Sequence, residues 1–274
     1  MTVPAVRVQT VSPSRVFLAF LARDIFVVFR KQLGGLLGRV LVQPLLTVFV
    51  FSYVLPSISG NLSTAGASFG TVLAPGILAN AMLFAGLLGV TVPLITELSY
   101  PKSIQDRLLT PVPVWAVGVE RIVSGALQSL FAAVLVLPIV VFLHAPGQAP
   151  ALSLSDWPLL ILVLVLGSLF SAVLGLLLGA VVEPAQVNVL FSIIMIPLMM
   201  LGCVYYPWAA LSSVPWLQVT VLANPVVYLS EALRAVLTPG VPHMSATVVI
   251  LVILAGTTFV GWLGLRSFRR AVLS

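Results

Sequence analysis

The sequence predicts an all-α, polytopic membrane protein, and three observations support this fold class. Of the 274 residues, 60% are hydrophobic and only 7% are charged, and the mean hydropathy is +1.19. A water-soluble domain carries about 25% charged residues, so this chain has too few charges to cover a surface in water. The apolar residues form stretches of about 20, the length that crosses a bilayer as a helix. The basic residues lie on one side of these stretches.

Six apolar stretches have the length of a transmembrane helix. They are residues 36–55, 73–95, 122–143, 157–182, 187–206 and 246–265. A further apolar segment, 207–239, precedes the last span and is interrupted by four prolines. Its parts are too short to cross the bilayer, and short apolar pieces separated by prolines are typical of re-entrant half-helices. We find no repeat or long linker, so we expect one membrane domain over residues 1–274.

The basic residues predict the orientation of the spans. Twelve of the thirteen Lys and Arg residues lie before or at the start of span one, between spans two and three, or after span six: Arg7, Arg15, Arg23, Arg30, Lys31, Arg39, Lys102, Arg107, Arg121, Arg266, Arg269 and Arg270. Six spans place all twelve on one side, and such an excess marks the cytoplasm. We therefore expect both termini in the cytoplasm and loop 56–70 outside. The net charge of +6 serves topology in this interpretation, not nucleic-acid binding.

Residues 14–32 form a predicted amphipathic helix. At 100° per residue, Arg15, Arg23 and Arg30 share one face, and Phe17, Leu21, Ile25 and Val28 share the other. Such a helix suits the cytoplasmic interface of a membrane. It either only sets topology or also contacts a cytoplasmic partner, and we predict the second. No cleavable signal pattern precedes it, so we expect the first helices to be retained.

The sequence contains no recognisable catalytic or metal centre. His144 and His243 lie in separate predicted outer loops, and the single Cys203 excludes a disulfide or a thiolate metal site within the chain. A Walker A loop needs a Gly-Lys pair, whereas the only lysines, at 31 and 102, follow arginine and proline. The chain therefore cannot hydrolyse ATP by a Walker A mechanism on its own.

The predicted spans are nearly free of ionisable residues at mid-membrane. Gradient-driven carriers usually bury such residues there. Here Arg39, Glu97, Glu120, Arg121 and Glu183 all lie near predicted cytoplasmic ends. Energy is therefore expected to enter through the cytoplasmic loops. A gradient-driven secondary transporter and a membrane-embedded lipid-modifying enzyme remain the alternatives, and the enzyme lacks the polar cluster at one membrane face that it would need.

Two segments resemble the ABC-2 type transporter permease family. Segment 97–114, ELSYPKSIQDRLLTPVPV, is similar to that family's loop between spans two and three, with its Leu-Leu-x-x-Pro-Val turn. Segment 224–234, NPVVYLSEALR, resembles the signature Asn-Pro-x-x-Tyr-x-x-Glu-Ala-Leu-Arg. The signature residues are Asn224, Pro225, Tyr228, Glu231 and Arg234. The loop departs from the family's frequent Arg-Glu-x-Gly-Thr stretch, because Tyr-Pro-Lys stands at 100–102.

The resemblance implies a membrane subunit that is not catalytic by itself. Two permeases, either two copies of this chain or this chain and a related one, would assemble with two separately encoded cytoplasmic ABC ATPases. ATP and Mg²⁺ would bind to the ATPase subunits, and no cofactor to this chain. The implied function is ATP-driven export of an amphipathic or lipid-linked molecule, such as a drug, glycolipid or polysaccharide, across a bacterial cytoplasmic (inner) membrane.

Loop 98–113 is the predicted coupling element. Its prolines limit its conformations, so it can transmit closure of an ATPase as a rigid-body push; the alternative is a solvated turn. The predicted ATPase-coupling residues are Lys102, Asp106, Arg107, Arg15, Arg23 and Arg30.

Two features of the outer side have alternative interpretations. Glu231 and Arg234 are neighbours at i, i+3 on a helix, and they either hold the broken segment as a local ion pair or contact the exported molecule. The aromatic residues near the outer boundary are Tyr205, Tyr206, Trp208 and Trp216. They serve either as interfacial anchors or as a stacking surface for sugar.

Overall fold

The computed structural model describes residues 13–31, 33–59, 63–64, 67–99, 113–182 and 186–273, and these are mostly helical. The helices are α1 (Pro13–Phe26), α2 (Leu33–Val48), α3 (Leu55–Ser59), α4 (Phe69–Ser99), α5 (Val114–Phe142), α6 (Trp157–Val181), α7 (Val187–Met200), α8 (Pro215–Thr220), α9 (Pro225–Leu237) and α10 (Ala246–Leu273). A short antiparallel ladder joins β1 (Ser63–Thr64) to β2 (Ala67–Ser68), with Ser63 opposite Ser68. The predicted all-α class is confirmed.

Five helices in the described ranges are long and apolar enough to cross a membrane. They are Leu33–Ile58, Phe69–Leu98, Val114–Phe142, Trp157–Val181 and Ala246–Val272. They coincide with predicted spans one to four and six. The first runs through α2 and α3 without a break, because a π-helical turn, Phe49–Val54, joins them. The chain is therefore a polytopic membrane protein.

The predicted span at 187–206 is not one continuous helix. Helix α7 has 14 residues, about 21 Å of rise, and ends in turns at 201–206. Cys203 adopts a left-handed φ of 52° in these turns. Hydropathy predicted one span because the whole stretch is apolar, but an apolar composition carries no information about where the chain turns.

The proline-interrupted segment before the last span consists of short helices, as predicted. Helices α8 and α9 both begin with proline, and the helical segments on either side of Asn224 meet at 100°. Asn224 caps α9, because its Oδ1 accepts a hydrogen bond from the Val226 amide at 2.9 Å. The segment is therefore broken at the residue that opens the signature sequence.

Helix α1 lies along α5 with its predicted apolar face turned inward. Phe17, Leu21, Ile25 and Val28 are all half-buried, whereas Arg23 and Arg30 are exposed. The continuation of the helix is a π-helical turn, Val27–Lys31, in which Phe29 packs edge-on against Phe131 of α5 with ring centroids 4.9 Å apart. The amphipathic pattern thus describes how this helix packs on the bundle.

Helix α4 is the centre of the bundle. In the apolar part of this helix 78% of the residues are buried, whereas in the first and the last span the buried share is 22%. Close contacts with α5 and α6 depend on small residues and on hydroxyl groups that bond to a neighbouring backbone. Thr91 donates to the Gly175 carbonyl of α6 at 2.9 Å, and Ser129 of α5 donates to the Met82 carbonyl at 2.8 Å. Helices in lipid associate through such contacts, since apolar burial gives them no net advantage there.

Gly175→Ala is expected to lower the free energy of unfolding by about 1–3 kcal/mol. The added Cβ would lie 2.6 Å from the Leu87 carbonyl oxygen of α4, and a helix backbone cannot move aside. SDS-induced unfolding of the purified protein, followed by circular dichroism, measures the loss. Gly261→Ala in α10 is the matched control, because its Cβ would meet Val173 at an ordinary 3.4 Å. Equal stability of the two variants would contradict the close α4–α6 contact.

Candidate functional site

A charged junction lies where α4 ends and α5 begins. It consists of Asp24 of α1, Glu97 of α4, and Glu120 and Arg121 of α5. The Arg121 guanidinium donates to Asp24 Oδ2 at 2.7 Å through Nη1 and to Glu97 Oε1 through Nη2. Its Nε lies 3.7 Å from Glu120 Oε2. One arginine therefore joins the N-terminal helix to two membrane helices.

This junction is buried, which makes its pairing important for stability. The Arg121 side chain is 8% exposed and that of Asp24 is 9% exposed. Breaking a buried ion pair by removing one partner typically costs about 3–5 kcal/mol, because the remaining charge stays desolvated. The members of the junction therefore separate only at this cost.

The predicted coupling residues fall partly outside the described residues. Lys102, Asp106 and Arg107 belong to 100–112, which the structure does not describe, and for Arg15 only the backbone position in α1 is described. Arg23 is exposed and its Nε lies 3.5 Å from Asp24 Oδ1.

Arg30 follows on the π-helical turn, also exposed, with its guanidinium carbon 5.6 Å from the centroid of the Phe26 ring. Sequence reasoning assigned Arg121 to topology and did not predict the junction. The adjacent Glu120-Arg121 pair at a span end was a usable signal, but the position of Asp24 could not be deduced from it.

The signature residues form a second cluster at the opposite end of the bundle. Asn224 donates from Nδ2 to the Leu198 carbonyl of α7 at 3.0 Å, and Ser230 donates to the Gly202 carbonyl at 2.9 Å. The Tyr228 hydroxyl donates to the Leu222 carbonyl at 2.8 Å. Pro225 occupies the first turn of α9, where no amide donor is needed. The side chains of the signature thus bond the carbonyls that the end of α7 and the broken segment leave unpaired.

Glu231 and Arg234 complete this cluster, and both are fully buried. Arg234 bonds to Glu231 through Nη1 and donates through Nη2 to the Cys203 carbonyl at 3.0 Å. The same Nη2 lies 3.4 Å from the Val72 carbonyl of α4.

The Glu231 carboxylate accepts two further hydrogen bonds, from the Trp208 amide at 3.0 Å and the Met244 amide at 2.8 Å. The pair therefore holds four separate segments of chain together. Its burial and its bonds favour the interpretation as a local structural ion pair over contact with the exported molecule.

The outer aromatic residues are bonded to backbone in two cases. Tyr206 donates through its hydroxyl to the Met200 carbonyl at 3.2 Å, and Trp208 donates through Nε1 to the Gln218 carbonyl at 3.1 Å. Tyr205 packs on Phe51 with ring centroids 5.2 Å apart. Trp216 is 70% exposed, which suits an interfacial anchor. Within the ranges that the structure describes, no three His, Cys, Asp or Glu side chains are grouped to hold a metal ion.

Arg234→Met is expected to lower the free energy of unfolding by about 3–5 kcal/mol, because it leaves the Glu231 carboxylate buried without its cation. Glu231→Gln should cost a similar amount, because it leaves the Arg234 guanidinium buried without its anion. The double variant should lose less than the sum of the two single losses, as residues of one network do. SDS unfolding of all three proteins gives the comparison. If Arg234→Met keeps wild-type stability and loses only transport, the structural interpretation is wrong and substrate contact is favoured.

Comparison with known proteins agrees with this architecture. The chain is 24% identical over 199 residues to "Inner membrane transport permease YadH" of Escherichia coli strain K12, which covers 72% of this chain and 74% of that protein. The protein of the same description from Shigella flexneri matches to the same extent. The model of the ABC-2 type transporter family matches residues 15–238, from α1 to the end of α9. The chain therefore belongs to the ABC-2 type transporter family and is the membrane subunit of an ABC transporter.

Proposed function

We propose that this chain is the permease of an ATP-driven exporter in a bacterial inner membrane, and that it moves an amphipathic or lipid-linked molecule outward. Its family pairs with ABC ATPases, and its sequence has no Gly-Lys pair for a Walker A loop of its own. ATP and Mg²⁺ would bind to that separate subunit. YadH is described as an inner membrane transport permease, which supports the proposed location and role.

The observation that carries the proposal is the charged junction. Arg121 joins α1 to the ends of α4 and α5, and in the sequence the predicted coupling residues of 100–112 connect those two helices. A push on 100–112 would therefore reach α1, α4 and α5 together. That is the arrangement a permease needs if the work of ATP hydrolysis enters at one end of the bundle.

The packing of the last helix supports a cytoplasmic location for this end. Phe268 of α10 is buried in the same apolar cluster as Ile122 of α5, and its ring lies 3.2 Å from where a Cβ of Gly118 would be, so the exposed Arg269 and Arg270 lie at the end that carries the junction. The basic residues of α1 and α10 thus gather at one end of the bundle, and an excess of basic residues marks the cytoplasmic side. Both chain termini are proposed to lie there.

The tight centre of the bundle supports a path between two permeases. Helix α4 is packed against α5 and α6 through glycine contacts and interhelical hydrogen bonds, which leave little room for a substrate among those three helices. We therefore expect the exported molecule to pass between this chain and a second copy of it or a related permease. Drugs, glycolipids and polysaccharides are the proposed substrate classes.

Single-cysteine labelling tests the orientation. Cys203 is fully buried and should stay silent towards a membrane-impermeant maleimide. In spheroplasts the reagent should label Ser59→Cys, at the end of α3, and should label Ser274→Cys only after permeabilisation. Labelling of both positions from outside would contradict the proposed topology.

Charge reversal of 100–112 tests coupling. The triple variant Lys102→Glu, Asp106→Lys and Arg107→Glu should insert normally, because the other basic residues still set topology. Co-purification with the ATPase and substrate-stimulated ATP turnover should each fall by about tenfold or more, the effect of losing about 1.4 kcal/mol at the interface.

The matched control reverses two exposed charges at the same end of the bundle, Arg269→Glu and Arg270→Glu, and should leave both quantities unchanged. Wild-type values for the correctly inserted triple variant would show that 100–112 is only a turn.

A further inference from the structure

A cavity of about 670 Å³ lies beside the charged junction, between the start of α2 and the second half of α4. Its lining residues are Val28, Gly35, Leu36, Gly89, Val92, Pro93, Thr96, Glu97 and Gln128. From Glu97 to Gly89 the cavity follows α4 for eight residues, which is about 12 Å along the helix axis. This volume is within the range of small-molecule sites in proteins, which is about 300–1,000 Å³.

The cavity opens sideways from the bundle. Val92 is 42% exposed although it belongs to a membrane span, and Gly35 and Thr96 are also exposed. Apart from Thr96, Glu97 and Gln128, the residues that line it are aliphatic or glycine. A molecule dissolved in the bilayer can therefore reach it without crossing the packed centre around α4.

Gln128 gives the cavity its chemical selectivity. The residue is 4% exposed, and its amide lines the cavity about 10 Å deeper along α5 than Arg121. Its Nε2 lies 3.5 Å from the Ser124 carbonyl, the longest separation for a hydrogen bond, and its Oε1 has no partner among the residues described. An amide that is so weakly bonded within the protein and belongs to a cavity wall is free to bond to a ligand.

Gly89 makes room for this amide. A Cβ at position 89 would lie 2.7 Å from Gln128 Oε1 and 3.0 Å from its Nε2. The absence of a side chain on α4 thus leaves the room that the Gln128 amide occupies at the wall of the cavity. The Thr96 hydroxyl donates to the Val92 carbonyl at 2.8 Å, so its proton is not available to the ligand.

We propose that this cavity binds an amphipathic molecule that carries an uncharged hydrogen-bonding group, a hydroxyl or an amide, on a hydrocarbon body. The polar group bonds to the Gln128 amide, and the hydrocarbon lies along Val28, Leu36 and Val92. The location in the inner leaflet rests on the orientation proposed above. Glu97 belongs both to the cavity and to the charged junction. A bound ligand would therefore lie next to the residues that are proposed to transmit the movement of the ATPase.

Photolabelling of the full-length protein in lipid nanodiscs tests the site. The probe is hexadecanol with a diazirine near the hydroxyl, and its matched partner is hexadecane with the diazirine at the same carbon. The alcohol should label the cavity residues saturably and compete with unlabelled hexadecanol. Gln128→Leu should weaken apparent binding of the alcohol by roughly two- to tenfold, the effect of one hydrogen bond, and should leave labelling by the hydrocarbon unchanged.

A second pair of variants tests the cavity without touching the amide. A Cβ at Gly35 would meet nothing within 4 Å on the protein, and Gly35 belongs to the cavity lining, so Gly35→Leu should block labelling. Gly38 lies on the same helix but is not part of the cavity lining, and a Cβ there would also meet nothing within 4 Å. The Gly38→Leu variant should therefore be labelled as the wild type is. Equal labelling of wild type, Gln128→Leu and Gly35→Leu would overturn the proposal.

A further measurement distinguishes two sources of a ligand with this chemistry, a resident bilayer lipid and an exchanging molecule. A lipid that co-purifies with the wild type and not with Gly35→Leu identifies a resident bilayer lipid, whereas saturable labelling without a co-purified lipid identifies an exchanging molecule. Both results support the site. Labelling needs neither the ATPase nor ATP, so a failure of the coupling experiment and a failure of this one are distinguishable.

Discussion

Backbone amides and carbonyls in a bilayer have no water to bond, and this constraint governs residues 197–244. Here α7 ends early, the chain turns through 201–206, and the next helices are short. Side chains of the signature replace water: Asn224 and Ser230 bond the carbonyls at and beyond the end of α7, and Arg234 bonds the Cys203 carbonyl. The Glu231 carboxylate accepts two amides. The irregular path is stable because each of these backbone carbonyls and amides has a partner within the protein.

Helix α4 connects the two clusters. Arg234 reaches the Val72 carbonyl near its first turn, and Arg121 bonds to Glu97 near its last. The 25 residues between them rise about 38 Å, which exceeds the hydrocarbon thickness of a bilayer. Since close glycine contacts fix α4 against α5 and α6, these three helices are suited to move as one body. A displacement of one end of α4 would then also move the other end.

Buried polar side chains in the described parts of the chain differ in how completely the protein bonds them. Glu231 and Arg234 are fully buried, and all of the hydrogen bonds described for them go to the protein itself, which suits a structural role. Gln128 is buried as well, yet it lines a cavity, and the one hydrogen bond described for its amide is long. The contrast explains why the most recognisable sequence motif and the proposed ligand site are different parts of the molecule.

The sequence by itself determined the membrane class, the positions of five spans, the amphipathic first helix and the break before the last span. These follow from local quantities: apolar length, helical periodicity and proline position. The tertiary structure decided that 187–206 turns after 14 helical residues, that Arg121 meets Asp24 across 97 positions, and that Gln128 lines a cavity beside Gly89. Such features depend on which helices become neighbours, and helix neighbours in lipid are chosen by close packing and hydrogen bonds between distant residues, which hydropathy does not record.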